Sequence, residues 1–172
     1  MRNLNESLSE SLLDKTTAFD DLDDVYYENW ITKYVKTGTI KRFKNGTCRF
    51  NGDVLIKDLN DDKFIELNVT EVNGTVTIQN CPNIKNLGEW FINCRNFKGG
   101  LNITNCDSLE SFVGCPEYVE GPMSIVNNKN LRSLEGFPKL VFGNIYIMKN
   151  GKRFKEDEIK SKLRDFDRKI YV

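Results

Sequence analysis

Five copies of one short frame run through this chain and restrict what it can fold into. The frame is apolar-x-Gly-x-apolar-x-Ile. It reads Phe50-Asn-Gly52-Asp-Val54-Leu-Ile56, Val72-Asn-Gly74-Thr-Val76-Thr-Ile78, Phe97-Lys-Gly99-Gly-Leu101-Asn-Ile103, Val119-Glu-Gly121-Pro-Met123-Ser-Ile125 and Val141-Phe-Gly143-Asn-Ile145-Tyr-Ile147. Successive glycines are 22, 25, 22 and 22 residues apart. Two residues beyond each isoleucine stand Asp58, Asn80, Asn105, Asn127 and Lys149. Further on, the three middle copies place Ile84, Leu109 and Leu131, then Leu87, Phe112 and Leu134, with Ile65 as the first copy's counterpart. Two of them turn back through Gly114-Cys115-Pro116 and Gly136-Phe137-Pro138.

A fixed period of this length is the signature of stacked coils, because one unit cannot bury its own apolar face. Apolar and polar residues alternate after each glycine, which makes a half-buried strand with Val76 and Ile78 facing in and Thr77 facing out. The glycine permits a turn into the strand that a side chain would obstruct. A 22-residue unit is too short for a strand, a long helix and two loops, so irregular or single-turn returns are expected. Strands are expected at 53–57, 75–79, 100–104, 122–126 and 144–148, parallel and in register in one sheet.

The flanks differ in charge. Residues 1–30 carry two basic and eight acidic side chains, and residues 33–49 carry six basic and none acidic. With zero net charge overall, a dedicated nucleic-acid binder is disfavoured. Asp20, Asp21, Asp23 and Asp24 precede apolar residues at helical spacing, so an amphipathic helix is expected over about 21–35 with its acids at the positive end of the dipole. Thr39 to Phe50 reads as a hairpin around Asn45-Gly46, a preferred two-residue turn pair. Ile159, Leu163 and Phe166 fall on one helical stripe. The organisation expected is therefore an N-terminal acidic arm, helix and hairpin cap over 1–49, a solenoid over 50–154 and a C-terminal helical cap over 155–172.

These residues resemble a known group. Leu131-Arg-Ser-Leu134-Glu-Gly136-Phe-Pro138-Lys-Leu-Val141-Phe-Gly143 is similar to the unit repeated in leucine-rich-repeat-like proteins of large tailed bacteriophages. Tyr27-Glu-Asn-Trp30 and Lys152-Arg-Phe154-Lys-Glu-Asp-Glu158-Ile159 also look like members of it, and the resemblance covers roughly residues 50–154. The first coil lacks the Leu and Gly-x-Pro return, and the second replaces it with a longer Gly88-Glu-Trp90-Phe91-Ile92-Asn-Cys94. The resemblance implies an α/β repeat solenoid of the leucine-rich-repeat-like kind, with five coils of about 22 residues, and a phage source.

Catalysis is not expected. The chain has no histidine, which removes the commonest general base and metal ligand. No carboxylate pair stands out as an acid/base couple, and no serine has a base partner. The glycines of Lys98-Gly99-Gly100 belong to the repeat and not to a phosphate loop. None of the five cysteines forms a Cys-x-x-Cys motif, so neither a metal nor any other cofactor is expected. Cys81 and Cys106 occupy a position filled by Asn128 and Asn150 in later coils, where they would satisfy backbone groups inside the turn. Asn45, Asn68, Asn73 and Asn102 start Asn-x-Thr triplets, read here as turn chemistry. The polar N-terminus lacks the pattern of a secretory signal and no apolar run approaches the ~20 residues of a membrane span, so a cytoplasmic protein with no membrane association is expected.

Repeat proteins usually bind through outward strand positions. Two rows result here: Leu55, Thr77, Asn102, Ser124, Tyr146, and Lys57, Gln79, Thr104, Val126, Met148. Only the last two coils offer apolar and aromatic anchors. The candidate protein-binding face is therefore Val126, Tyr146 and Met148, with Ser124 and Asn102 at its margin. A C-terminal helix folded over these side chains is the competing expectation. The function expected is a non-catalytic protein–protein interaction module acting on a host or phage protein. The alternative is a structural or accessory component of a virion.

Overall fold

A computed structural model describes residues 21–43, 45–60 and 67–172. The chain is a parallel β-solenoid of about five turns with few helices, and each turn contributes strand to two ladders. Strand β1 (Val35–Arg42) is antiparallel to the long strand β2 (Cys48–Lys57). The second half of β2 begins one parallel ladder, which runs through β4 (Val76–Gln79), β6 (Leu101–Thr104), β8 (Met123–Val126), β10 (Ile145–Met148) and β11 (Ile170–Tyr171). Its first half begins the other, through β3 (Val69–Asn73), β5 (Asn96–Phe97), β7 (Tyr118–Val119) and β9 (Leu140–Val141). Register is strict: Val76 lies beside Leu101, Ile78 beside Ile103, and both columns continue to Met123 and Ile125.

The five expected strands are thus present, but the sheet does not lie along one side only. It folds around the repeated glycine, and the apolar residue two positions before that glycine belongs to the second ladder. Val72, Phe97, Val119 and Val141 form that column, all buried. The glycines hold the corner chiefly by closeness. A Cβ on Gly121 would lie 2.6 Å from the Gly100 nitrogen, and one on Gly143 2.4 Å from the Pro122 nitrogen. Real Cβ atoms do not approach backbone so closely, so successive corners stack only if they are bare.

The chain leaves each first-ladder strand through a residue in the left-handed region. Asp58, Asn80, Asn105, Asn127 and Lys149 have φ between 54° and 60°. Asn and Asp tolerate this conformation better than other residues, which accounts for four of the five. Their side chains also bond coil to coil. The amide of Asn80 donates to Asp58 (2.9 Å), that of Asn105 to Asn80 (3.0 Å) and that of Asn127 to Asn105 (2.6 Å).

The next residue points inward, and here the expectation for the cysteines is met. The Cys81 and Cys106 thiols lie 3.9 and 3.8 Å from the carbonyls of Ile56 and Ile78. In the following coils the amides of Asn128 and Asn150 donate to the matching carbonyls of Ile103 and Ile125, at 3.2 and 2.9 Å. All five cysteines are free thiols.

The flanks are partly as expected. Helix α1 (Asp21–Tyr34) occupies the expected span and buries Trp30 and Tyr34, with Trp30 edge-on to Trp90 at 5.9 Å. Trp90 lies on α2 (Gly88–Phe91), the single-turn return of the longer coil. The acidic side chains at Asp20–Asp24, the arm before them and Ile65 lie outside the described residues. The hairpin turn is wider than the expected two residues: Phe43 N–H donates to Thr47 O, Gly46 N–H donates to Phe43 O, and Gly46 is left-handed.

The C-terminus departs most from expectation. Residues 155–172 are not a helix; only α3 (Glu156–Lys160) is helical, and β11 follows as one more strand. Ile159 is buried, while Leu163, Phe166 and Ile170 pack only partly against the core. A stripe of three apolar residues at helical spacing lost to an open sheet edge, which gave Ile170 and Tyr171 backbone partners on β10. With so little helix, the architecture is a β-solenoid and not the expected α/β class.

Candidate interaction face

The outward rows of the first ladder are aligned across every coil. Leu55, Thr77, Asn102, Ser124, Tyr146 and Tyr171 are consecutive register partners, as are Lys57, Gln79, Thr104, Val126 and Met148. Adding the left-handed column, the three central coils present Thr77, Gln79, Asn80, Asn102, Thr104, Asn105, Ser124, Val126 and Asn127. None of these is charged, in a chain whose residues are 29% charged. Charge returns only at the ends, as Lys57 and Asp58 on the first coil and Lys149 on the last.

Other ion pairs form away from the central rows of this face. Arg49 and Lys98 flank Glu71 at 2.5 and 3.4 Å, Lys129 bonds Asp107 at 2.6 Å, and Lys139 pairs with Glu117. A side-chain hydrogen bond from Asn73, with Arg49 and Lys98 nearby, holds the Glu71 carboxyl below its usual range. Lys139 does the same for Glu117.

Of the five candidate residues, Val126, Tyr146, Met148, Ser124 and Asn102 are all half-exposed on one surface, with Asn102 one coil from Ser124 and two from Tyr146. Among the described residues no helix lies over them. Helix α3 sits beside the return path 132–135, and Arg164 N–H, just beyond it, donates to Lys139 O at the edge of the second ladder. The Tyr146 ring is instead stacked on Tyr171, with centroids 4.6 Å apart and planes within 3°. Tyr171 thereby lengthens the apolar end of the face, which the sequence reading missed because it assigned this residue to a helix.

A second missed residue is Phe142, 55% exposed just before the Gly143 corner. It ends the row Asn51, Asn73, Lys98, Glu120, Phe142, which faces out from the second ladder. That row was visible in the repeat, but it has meaning only once the second ladder is known. It puts an aromatic ring around the corner from Tyr146.

An open cavity of about 470 Å³ lies between residues 132–135 and 152–162. Within it Lys152 bonds Glu158 at 2.7 Å and keeps that carboxyl below its usual range. A carboxylate held ionised by an ion pair is not a general acid. Among the described residues no three His, Cys, Asp or Glu side chains converge on a point, and no helix is long and apolar enough to cross a membrane.

Compared with known proteins, the chain matches no family model, no curated protein and no solved structure.

Proposed function

We propose that this chain is a non-catalytic interaction module that binds a protein through the strand face of its first ladder. One observation carries the reading: the central coils of that face are free of charge, and it ends in the half-exposed side chains of Val126, Tyr146 and Met148. Interface centres are depleted in charged residues and enriched in tyrosine and methionine, and their energy concentrates in a few such anchors. The motif resemblance supports a leucine-rich-repeat-like phage protein acting on a host or phage protein in the host cytoplasm, and not an enzyme. The buried Trp30 and Tyr34 at one end, and β11 with Ile159 at the other, serve as its caps.

The test is affinity capture from the bacterial host with the parent chain and with a Tyr146→Ala, Met148→Glu double variant. A protein retained by the parent and lost by the folded variant is the expected result. A variant that is folded and retains the same protein places the site elsewhere.

A further inference from the structure

Asparagine followed by glycine is a reactive pair. The glycine nitrogen, with no Cβ beside it to obstruct the approach, can attack the asparagine side-chain carbonyl carbon and close a cyclic imide. Four such pairs occur here: Asn45-Gly46, Asn51-Gly52, Asn73-Gly74 and Asn150-Gly151. The fold treats them differently. Asn51 lies inside β2 with β1 on one side and β3 on the other, so two ladders hold its backbone. Asn73 ends β3, donates its amide to Asn51 at 3.4 Å and precedes Gly74, whose backbone packs on that of Gly52. Asn150 accepts the Asn128 backbone N–H and donates to the Ile125 carbonyl, while the Gly151 N–H donates to Asn128 O at 2.9 Å.

Asn45 alone of the four asparagines is exposed, at the tip of the β1–β2 hairpin. Its side-chain oxygen accepts two hydrogen bonds from Thr47, one from the backbone N–H at 3.2 Å and one from the hydroxyl at 2.8 Å. Both donors point at the oxygen that gains negative charge when its carbon is attacked, and such bonds strengthen as the charge grows. The Gly46 N–H donates to Phe43 O at 2.9 Å, a bond within the same short turn, and exposed turns open at low cost.

We propose that Asn45-Gly46 is a site of self-modification, at which the folded chain, assisted by Thr47, converts this one asparagine to aspartate and isoaspartate. The Gly46 nitrogen gives its proton to solvent base and bonds to the Asn45 Cγ. The Cγ–Nδ2 bond breaks and ammonia leaves. One water then opens the imide at either of its carbonyls, so the sum is loss of ammonia and gain of water. Opening at Cγ gives aspartate. Opening at the backbone carbonyl gives isoaspartate, which routes the main chain through the side chain and adds a methylene to the turn joining β1 and β2. Either product puts a negative charge into residues 33–49, which carry six basic side chains and no acidic one. The site lies at the far end of the solenoid from Tyr146 and Met148 and is independent of what binds there.

The experiment holds the full chain at mildly alkaline pH, folded and in concentrated urea, and follows each asparagine by peptide mass spectrometry. Asn45 and Asn150 both follow a lysine and form a matched pair. In the folded chain Asn45 should convert about tenfold faster than Asn51, Asn73 or Asn150, whose hydrogen bonds must open first. In urea Asn45 and Asn150 should convert at similar rates. Thr47→Val keeps a β-branched side chain and removes the hydroxyl, and should slow Asn45 by about two- to tenfold, the effect of one hydrogen bond. Circular dichroism checks its fold. Equal conversion of Asn45 and Asn150 in the folded chain overturns the proposal. So does a lead for Asn45 that persists undiminished in urea, because residue order and not the fold would then explain it. A folded Thr47→Val variant that converts as fast as the parent, or faster, overturns the assistance assigned to Thr47.

Discussion

Asn128 accepts the backbone N–H of Cys106 through its side-chain oxygen at 2.9 Å and donates its amide to the carbonyl of Ile103 at 3.2 Å. The same side chain lies 3.1 Å from Asn150, which also accepts the Asn128 backbone N–H at 3.0 Å. Asn128 is fully buried, so each of these groups has exchanged water for protein. Two polar backbone groups of the preceding coil therefore depend on one side chain.

Replacing Asn128 by Ala should destabilise the chain by about 1–3 kcal/mol, because it strands the Cys106 N–H and the Ile103 carbonyl in the core. Cys106→Asn should cost far less, since later coils use Asn at the same place. Chemical denaturation of the two variants measures the contrast. A cost equal for both would show that the column packs by volume and not by hydrogen bonding.

Ile103 is the middle of the inward column and has no exposure. Ile103→Ala should cost about 2–5 kcal/mol with an unchanged denaturant slope. Gly121→Ala should cost about 1–3 kcal/mol through overpacking, because the new methyl meets the backbone of the coil below. Gly52→Ala has open space around it but a φ of 73°, so its cost of about 1 kcal/mol is conformational.

The thiols supply a pH dependence. Burial pushes Cys94 up to about 11, and contact with Cys81 together with burial raises Cys106. A thiol whose pKa is raised in the folded state keeps its proton where the unfolded chain has lost it. Its stabilising contribution is complete below the unfolded value near 9.0 and is lost as pH rises from there toward about 11. Denaturation midpoints should therefore fall between pH 9 and 11, and a Cys94→Ala variant should lose part of that slope. No metal or disulfide is expected to be required. Stoichiometric zinc in the purified protein, or a large loss of melting temperature under reductant alone, would contradict this.

The repeat revealed the solenoid because its period, its alternation and its glycines all reported the same first-ladder strands. It did not reveal the second ladder. Asn96-Phe97, Tyr118-Val119 and Leu140-Val141 are two-residue strands, too short for alternation to show. The left-handed column was visible as a row of Asn and Asp, but Lys149 shares the conformation without the chemistry that announces it. The candidate face was legible because outward positions follow from strand parity alone. Its extension through Tyr171 was not, since Ile159, Leu163 and Phe166 carry helical spacing into a segment that ends as an edge strand. Nothing local in that stretch records the open edge of β10, which lies some 25 residues earlier.

Between Gly74 and Gly99 the chain spends three more residues than in any other coil, yet Val76 still lies beside Leu101. The surplus falls on the return side, where α2 takes it up. Length is thus free on one side of the molecule and fixed on the other. A whole 22-residue unit inserted after β6 would lengthen the protein by one strand spacing, about 4.8 Å, without shifting a single row. The fold acts as a graduated scale whose divisions can be added or removed, while the marks between them stay in line.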